Sequence, residues 1–129
     1  MIVLLMTGCG TENTGPFIAH NGARPWLFTT EFLGRVQQSP ALPDNLLDVH
    51  MHIYPGSYQL INPLSGNLVV CYYWPDHHAM HMRVTNEVVR NGCLPHELAH
   101  RWGQLSVSWD ETYSHGEAFQ ERWKFLQNL

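Results

Sequence analysis

His96, Glu97 and His100 stand together in "CLPHELAHRWGQLS", residues 93–106, as H-E-x-x-H. On a helix, side chains four apart leave the same face about one turn from each other. Two imidazoles at this spacing can therefore grip one metal ion. The carboxylate of Glu97 comes from the same turn and can reach water beside the metal without taking a coordination position. A catalytic zinc takes three protein ligands and keeps a further position for water, so the motif predicts a third ligand elsewhere. The competing reading is an amphipathic helix that carries two histidines by chance. Against it stands the cost of burying unpaired polar groups beside an apolar stripe.

Four places could supply the third ligand. Gly103 falls where the metzincin pattern H-E-x-x-H-x-x-G-x-x-H has its glycine, but the last ligand position holds Ser106. A neutral hydroxyl is a poor zinc ligand beside imidazole, thiolate or carboxylate. No Met follows Met82 either, so the Met-turn of that pattern is missing. Asp110 and Glu111 offer carboxylates and read more simply as solvated loop acids. Glu117 closes Ser114-His115-Gly116-Glu117, an S-x-x-E capping box that would engage its carboxylate at a helix N-terminus. His115 remains, at the opening of the last helix.

The run "PHELAH…SHGEAF" resembles the SprT/Spartan-like zinc metallopeptidases. Those carry H-E-x-x-H followed, after a short connection, by H-G-x-x-F or H-G-x-x-W. Carried over residue by residue, the resemblance implies zinc ligands at His96, His100 and His115 and a catalytic base at Glu97. It also implies that Phe119 is the aromatic packed against the ligand-bearing helix. It covers about residues 94–119. The chain departs from that family in lacking a basic surface, so the resemblance implies a zincin-like metal site and not action on DNA-bound proteins.

Seven Lys and Arg against eleven Asp and Glu give a net charge of −4, and no basic patch is visible. Nucleic acid is therefore excluded as an expected partner on electrostatic grounds. Nine histidines raise the expectation of metal chemistry. At 129 residues and 44% apolar composition, the chain is sized for one domain with its own core.

Cys9 follows "MIVLLMTG", which resembles the end of a bacterial lipoprotein signal with lipidation at that cysteine. The pattern departs from a full signal in having no Lys or Arg before a short apolar run. Residues 1–16 are thus read as lipoprotein signal and flexible tether, and 17–129 as the folded domain. The expected location is exported, periplasmic or at the outer surface, held to a membrane by the lipid alone. If "IVLLM" is instead a buried strand, the location is cytoplasmic. Cys71 and Cys93 remain as an even pair, and an oxidising compartment makes a disulfide between them the expectation.

Thr30 to Gln38 reads as a short helix ended by Pro40. Leu46–Tyr54, Ser57–Asn62, Leu68–Trp74 and Ala79–Val84 read as four strands of a small antiparallel or mixed meander. Pro95 fits the first turn of the H-E-x-x-H helix, whose stripe is Leu98, Trp102 and Leu105. Phe119, Trp123 and Leu126 stripe the C-terminal helix. The predicted fold is α+β, a minimal zincin-like domain. Its edge for an extended substrate is expected at Leu68–Trp74 or at residues 79–84.

Of the other candidates, Tyr113 could point a phenol at a developing oxyanion. His50-x-His52 puts two imidazoles on one side of a strand, and His77, His78 and His81 cluster at a turn. Both groups read more simply as surface histidines. The expected activity is zinc-dependent hydrolysis of peptide bonds in a protein or peptide substrate, by a monomer holding one catalytic Zn2+. Two alternatives share the site: a non-catalytic metal-binding lipoprotein, and a zinc amidase acting on a non-peptide or cell-wall amide.

Overall fold

The computed structural model describes residues 15–84, 92–106 and 115–129. Cys9 with the N-terminal run, and Asp110, Glu111, Tyr113 and Ser114, lie outside the described residues. Among the described residues the fold is α+β, with three helices and one mixed four-stranded sheet. In chain order the elements are β1 (Phe17–Ala19), α1 (Leu27–Gln38), β2 (His50–Pro55), β3 (Cys71–Trp74), a 3-10 turn (Pro75–His77), β4 (Ala79–Val84), α2 (Cys93–Ser106) and α3 (Glu117–Gln127).

The sheet order is β1-β2-β4-β3, with β1–β2 and β2–β4 parallel and only β3–β4 antiparallel. A parallel neighbour needs a crossover connection, and α1 supplies it between β1 and β2. The hairpin then returns β4 between β2 and β3, which leaves β3 as an edge among the described residues. The expected substrate edge at residues 79–84 is thereby corrected. β4 is paired on both sides, with Met82 opposite both Ile53 and Cys71.

Strand alternation sorts the residues cleanly. Met51, Ile53, Met80 and Met82 are at most 1% exposed and face the helices. Phe32, Leu33 and Val36 of α1, Leu94 and Leu98 of α2, and Phe119 and Leu126 of α3 complete one core with them. Among the described residues, no helix is long and apolar enough to cross a membrane.

Several boundaries differ from the sequence reading. α1 begins three residues early, at Leu27. Thr29 is fully buried there because its hydroxyl donates to Trp26 O at 2.5 Å, and Thr30 does the same to Leu27 O. These short hydroxyl bonds satisfy polar groups that argue against a helix in a one-dimensional reading. Leu46–Val49 is a turn region that buries Leu46 in the core, so the strand starts at His50. The expected strand Ser57–Asn62 is reduced to one isolated bridge, Ile61 to Leu68. The capping box is not formed as read. Gly116 is the N-cap without a side-chain cap bond, and Glu117 is the first helical residue rather than the third. Its exposed carboxylate sits where the helix dipole favours negative charge.

Arg101 locks α2 to the rest of the domain. It is 4% exposed, and its guanidinium donates to Asp48 O (2.8 Å), Asn45 O (3.3 Å) and His78 Nδ1 (2.8 Å). One planar fork thus holds the loop before β2 and the turn before β4. Tyr73 of β3 donates to Gln104 of α2, a second polar tie between edge strand and helix.

Candidate metal centre

α2 starts directly after Gly92, whose φ of +76° is a backbone shape that L side chains rarely adopt. A Cβ there would also meet Gln127 Nε2 at 3.2 Å, so the chain passes tightly against the end of α3. The first helical bond runs from His96 N to Gly92 O at 2.8 Å. It sets His96 and His100 on the face of α2 that looks toward α3.

His115 arrives from the segment just before α3. Its Nε2 lies 3.1 Å from His100 Nε2. The three ring centroids are 5.0 Å (His96–His100), 5.3 Å (His96–His115) and 4.9 Å (His100–His115) apart. One nitrogen from each ring falls within 4.8 Å of the others. Ligands at about 2.05 Å around a tetrahedral zinc are about 3.3 Å apart, so this donor set could close on a metal ion with small side-chain rotations. A single group of three imidazoles is also a chemically suitable set for that ion.

Phe119 is the floor of the site. At 3% exposed, its ring stands 4.9, 4.4 and 4.9 Å from the rings of His96, His100 and His115. Trp123 adds an edge contact to His96 at 4.6 Å. Packing of this kind fixes the imidazole orientations before any ion arrives. Burial, assisted by the neighbouring His115, lowers the His96 pKa to about 4. At neutral pH its ring is therefore neutral, the form that binds metal.

Glu97 is 5% exposed and contributes to the same cleft. Burial raises its carboxyl pKa to about 8, because an apolar surrounding penalises the charged form. Cys71 and Cys93 are joined by a disulfide with Cα atoms 6.5 Å apart, tying the edge strand to the first residue of α2. Glu97 Oε2 lies 3.0 Å from Cys71 Sγ. A bridged sulfur carries no proton, so in the disulfide form a hydrogen bond here needs the carboxyl to donate.

The cleft has a volume of about 200 Å³ and is lined by Asn62, Leu64, Tyr72 and Tyr73 together with the histidines, Glu97 and Cys71. Asn62 and Leu64 escaped the sequence reading. Nothing in a loop between short strands marks it as a cleft wall.

The remaining sequence candidates fall elsewhere. Gly103 is buried within α2 and Ser106 ends that helix exposed. His52 is engaged by a residue other than His50. Its Nδ1 meets His20 Nε2 at 2.8 Å, and its ring stacks on His81. His81 in turn meets the Tyr54 hydroxyl at 2.8 Å through Nδ1, and stacks on Tyr72. These rings form a stacked layer on the sheet face away from the helices. Burial, with His52, His20 and His77 nearby, lowers the His81 pKa to about 4. His78 is engaged by Arg101, and His77 packs on Trp74. Among the described residues, the two groups able to hold a metal are His96/His100/His115 and Cys71/Cys93/Glu97.

No protein-family model matches this sequence, and neither the curated proteins nor the solved structures include a match to it.

Proposed function

We propose that this chain is a zincin-like, zinc-dependent metallopeptidase. The observation that carries the reading is the meeting of three imidazoles in one cleft with a buried carboxylate from the same helical turn. His96, His100 and His115 would hold the ion. A zinc ion held by them would supply Lewis acidity and make water a better nucleophile near neutral pH.

The chain's own residues divide the remaining work. Glu97 would act as the base in its ionised form, which a cation held by the three histidines would favour against the burial that raises its pKa to about 8. So charged, it would accept a proton from the attacking water and deliver it to the leaving amine. Phe119 and Trp123 keep the imidazoles oriented. β3, paired on one side only among the described residues and contributing Cys71, Tyr72 and Tyr73 to the cleft wall, offers its other edge to an extended peptide. A peptide adding there would be aligned by main-chain hydrogen bonds, with its scissile bond led across the cleft. An exported, lipid-anchored setting agrees with the disulfide.

Glu97→Gln tests the assignment. The variant is expected to keep its zinc and its fold while turnover of a general peptide substrate falls at least about 100-fold. Loss of zinc in that variant would make Glu97 a ligand and remove the proposed base. Full activity with intact zinc would remove it equally.

A further inference from the structure

We infer that the reduced chain carries a second metal site, made of Cys71, Cys93 and Glu97, which the disulfide abolishes and which competes for the catalytic carboxylate. The two sulfurs and a carboxylate oxygen lie within 4.8 Å of one another. Their placement comes from rigid elements. Cys93 and Glu97 are four apart on α2 and so share one helical face. Cys71 is the first residue of β3, opposite that face. Cys71 and Glu97 also line the open cleft, so an ion has a route in.

Two thiolates with one carboxylate form a borderline-soft donor set suited to Zn2+ or Cd2+, with water in the fourth position. Zn–S bonds of about 2.3 Å at the tetrahedral angle put the sulfurs about 3.8 Å apart. Rotation about the two cysteine χ1 angles can provide this across Cα atoms 6.5 Å apart. While the S–S bond exists, neither sulfur is a thiolate, and the set has a single hard ligand left.

The conversion balances with a phosphine as reductant. The phosphine gives two electrons to the S–S bond, which breaks. The sulfurs take two protons from water, the phosphorus takes the water oxygen, and two thiols and a phosphine oxide result. Binding of Zn2+ then forms two Zn–S bonds and one Zn–O bond as the two thiol protons and the Glu97 carboxyl proton pass to solvent. Glu97 in this state is a ligand and no longer a free proton acceptor. The site itself is independent of the peptidase reading, whereas its effect on turnover rests on that reading.

Zinc stoichiometry by equilibrium dialysis, and cobalt spectra, on the full chain test the inference. The oxidised chain is expected to bind one Zn2+, and the phosphine-reduced chain, freed of reductant without air, two. Only the reduced chain should give thiolate-to-cobalt charge-transfer bands with Co2+. A His96→Ala/His100→Ala variant should bind none when oxidised and one when reduced. Cys71→Ser/Cys93→Ser should bind one in either condition. Glu97→Ala should weaken the reduced-state site by at least about tenfold, the low end for losing a group that supports a metal. Peptidase turnover of the reduced chain in excess Zn2+ should fall about 100-fold and return on reoxidation.

The inference is overturned if the reduced chain binds no more zinc than the oxidised one, or if the second equivalent lacks thiolate bands. Its persistence in the double serine variant, or its indifference to Glu97→Ala, would also overturn it. An oxidised chain that binds no zinc would instead refute the histidine site, an outcome distinct from these.

Discussion

His115→Ala separates the proposed three-histidine site from one completed by a carboxylate. Zinc sites with four protein ligands bind with apparent free energies of about 10–16 kcal/mol, or about 2.5–4 kcal/mol per ligand if shared evenly. His115 is exposed, so water can replace its imidazole at little further cost, and the lower figure applies. About 2.5 kcal/mol corresponds to a loss of roughly 60-fold in zinc affinity. The fold should hardly respond. The residue lies before the first turn of α3 and is exposed, and such substitutions usually change stability by at most about 0.5 kcal/mol. Competition against a chromophoric chelator at neutral pH gives the affinity, and thermal unfolding of the apo-protein gives the control. Asp110→Ala and Glu111→Ala should leave zinc affinity nearly unchanged. If His115→Ala binds zinc within about threefold of the parent, and one of the acidic variants loses it, the third ligand is a carboxylate and the assignment fails.

Arg101→Met strands the carbonyls of Asn45 and Asp48 and the His78 nitrogen that its guanidinium now serves. A loss of about 3 kcal/mol in denaturant unfolding is expected, and a loss below about 0.5 kcal/mol would mean that Arg101 does not clamp these segments. Cys71→Ser/Cys93→Ser opens a crosslink spanning 22 residues, so in the chain-entropy picture the oxidised protein should lose about 3 kcal/mol relative to itself. Equal stability of parent and variant under oxidising conditions would contradict the bridge. Acidification should destabilise the fold through His81. Its folded pKa of about 4 lies below the ordinary 6.5, so between those values the unfolded chain binds the extra proton. Stability is then highest above about 6.5 and falls as the pH drops toward 4, and His81→Gln should flatten that slope. An identical pH profile for parent and variant would show that His81 is not held neutral by the fold.

Much of the candidate site could be read before any coordinates because it is local. A spacing of four on a helix puts His96 and His100 on one face whatever the surroundings, and Pro95, Leu98 and Phe119 marked the helices that carry and back the ligands. The same spacing joins Cys93 to Glu97, a relation visible in the sequence but without meaning until a partner was known. What the sequence could not settle is which distant segments meet. The three residues of β1 are too few for a periodic signal. The order β1-β2-β4-β3 depends on pairings between segments far apart in the chain, and a hairpin followed by insertion leaves the same local pattern as a meander. The Cys71–Cys93 pair was expected from the sequence, but only the tertiary structure chose β3 over β4 as the edge, set Glu97 beside that pair, brought His20 to His52, and turned Asn62 and Leu64 into a cleft wall. The physical reason is that backbone propensity and side-chain period act over a few residues. Strand order and side-chain convergence are decided by the burial of one common core, to which every element contributes and which no single segment encodes.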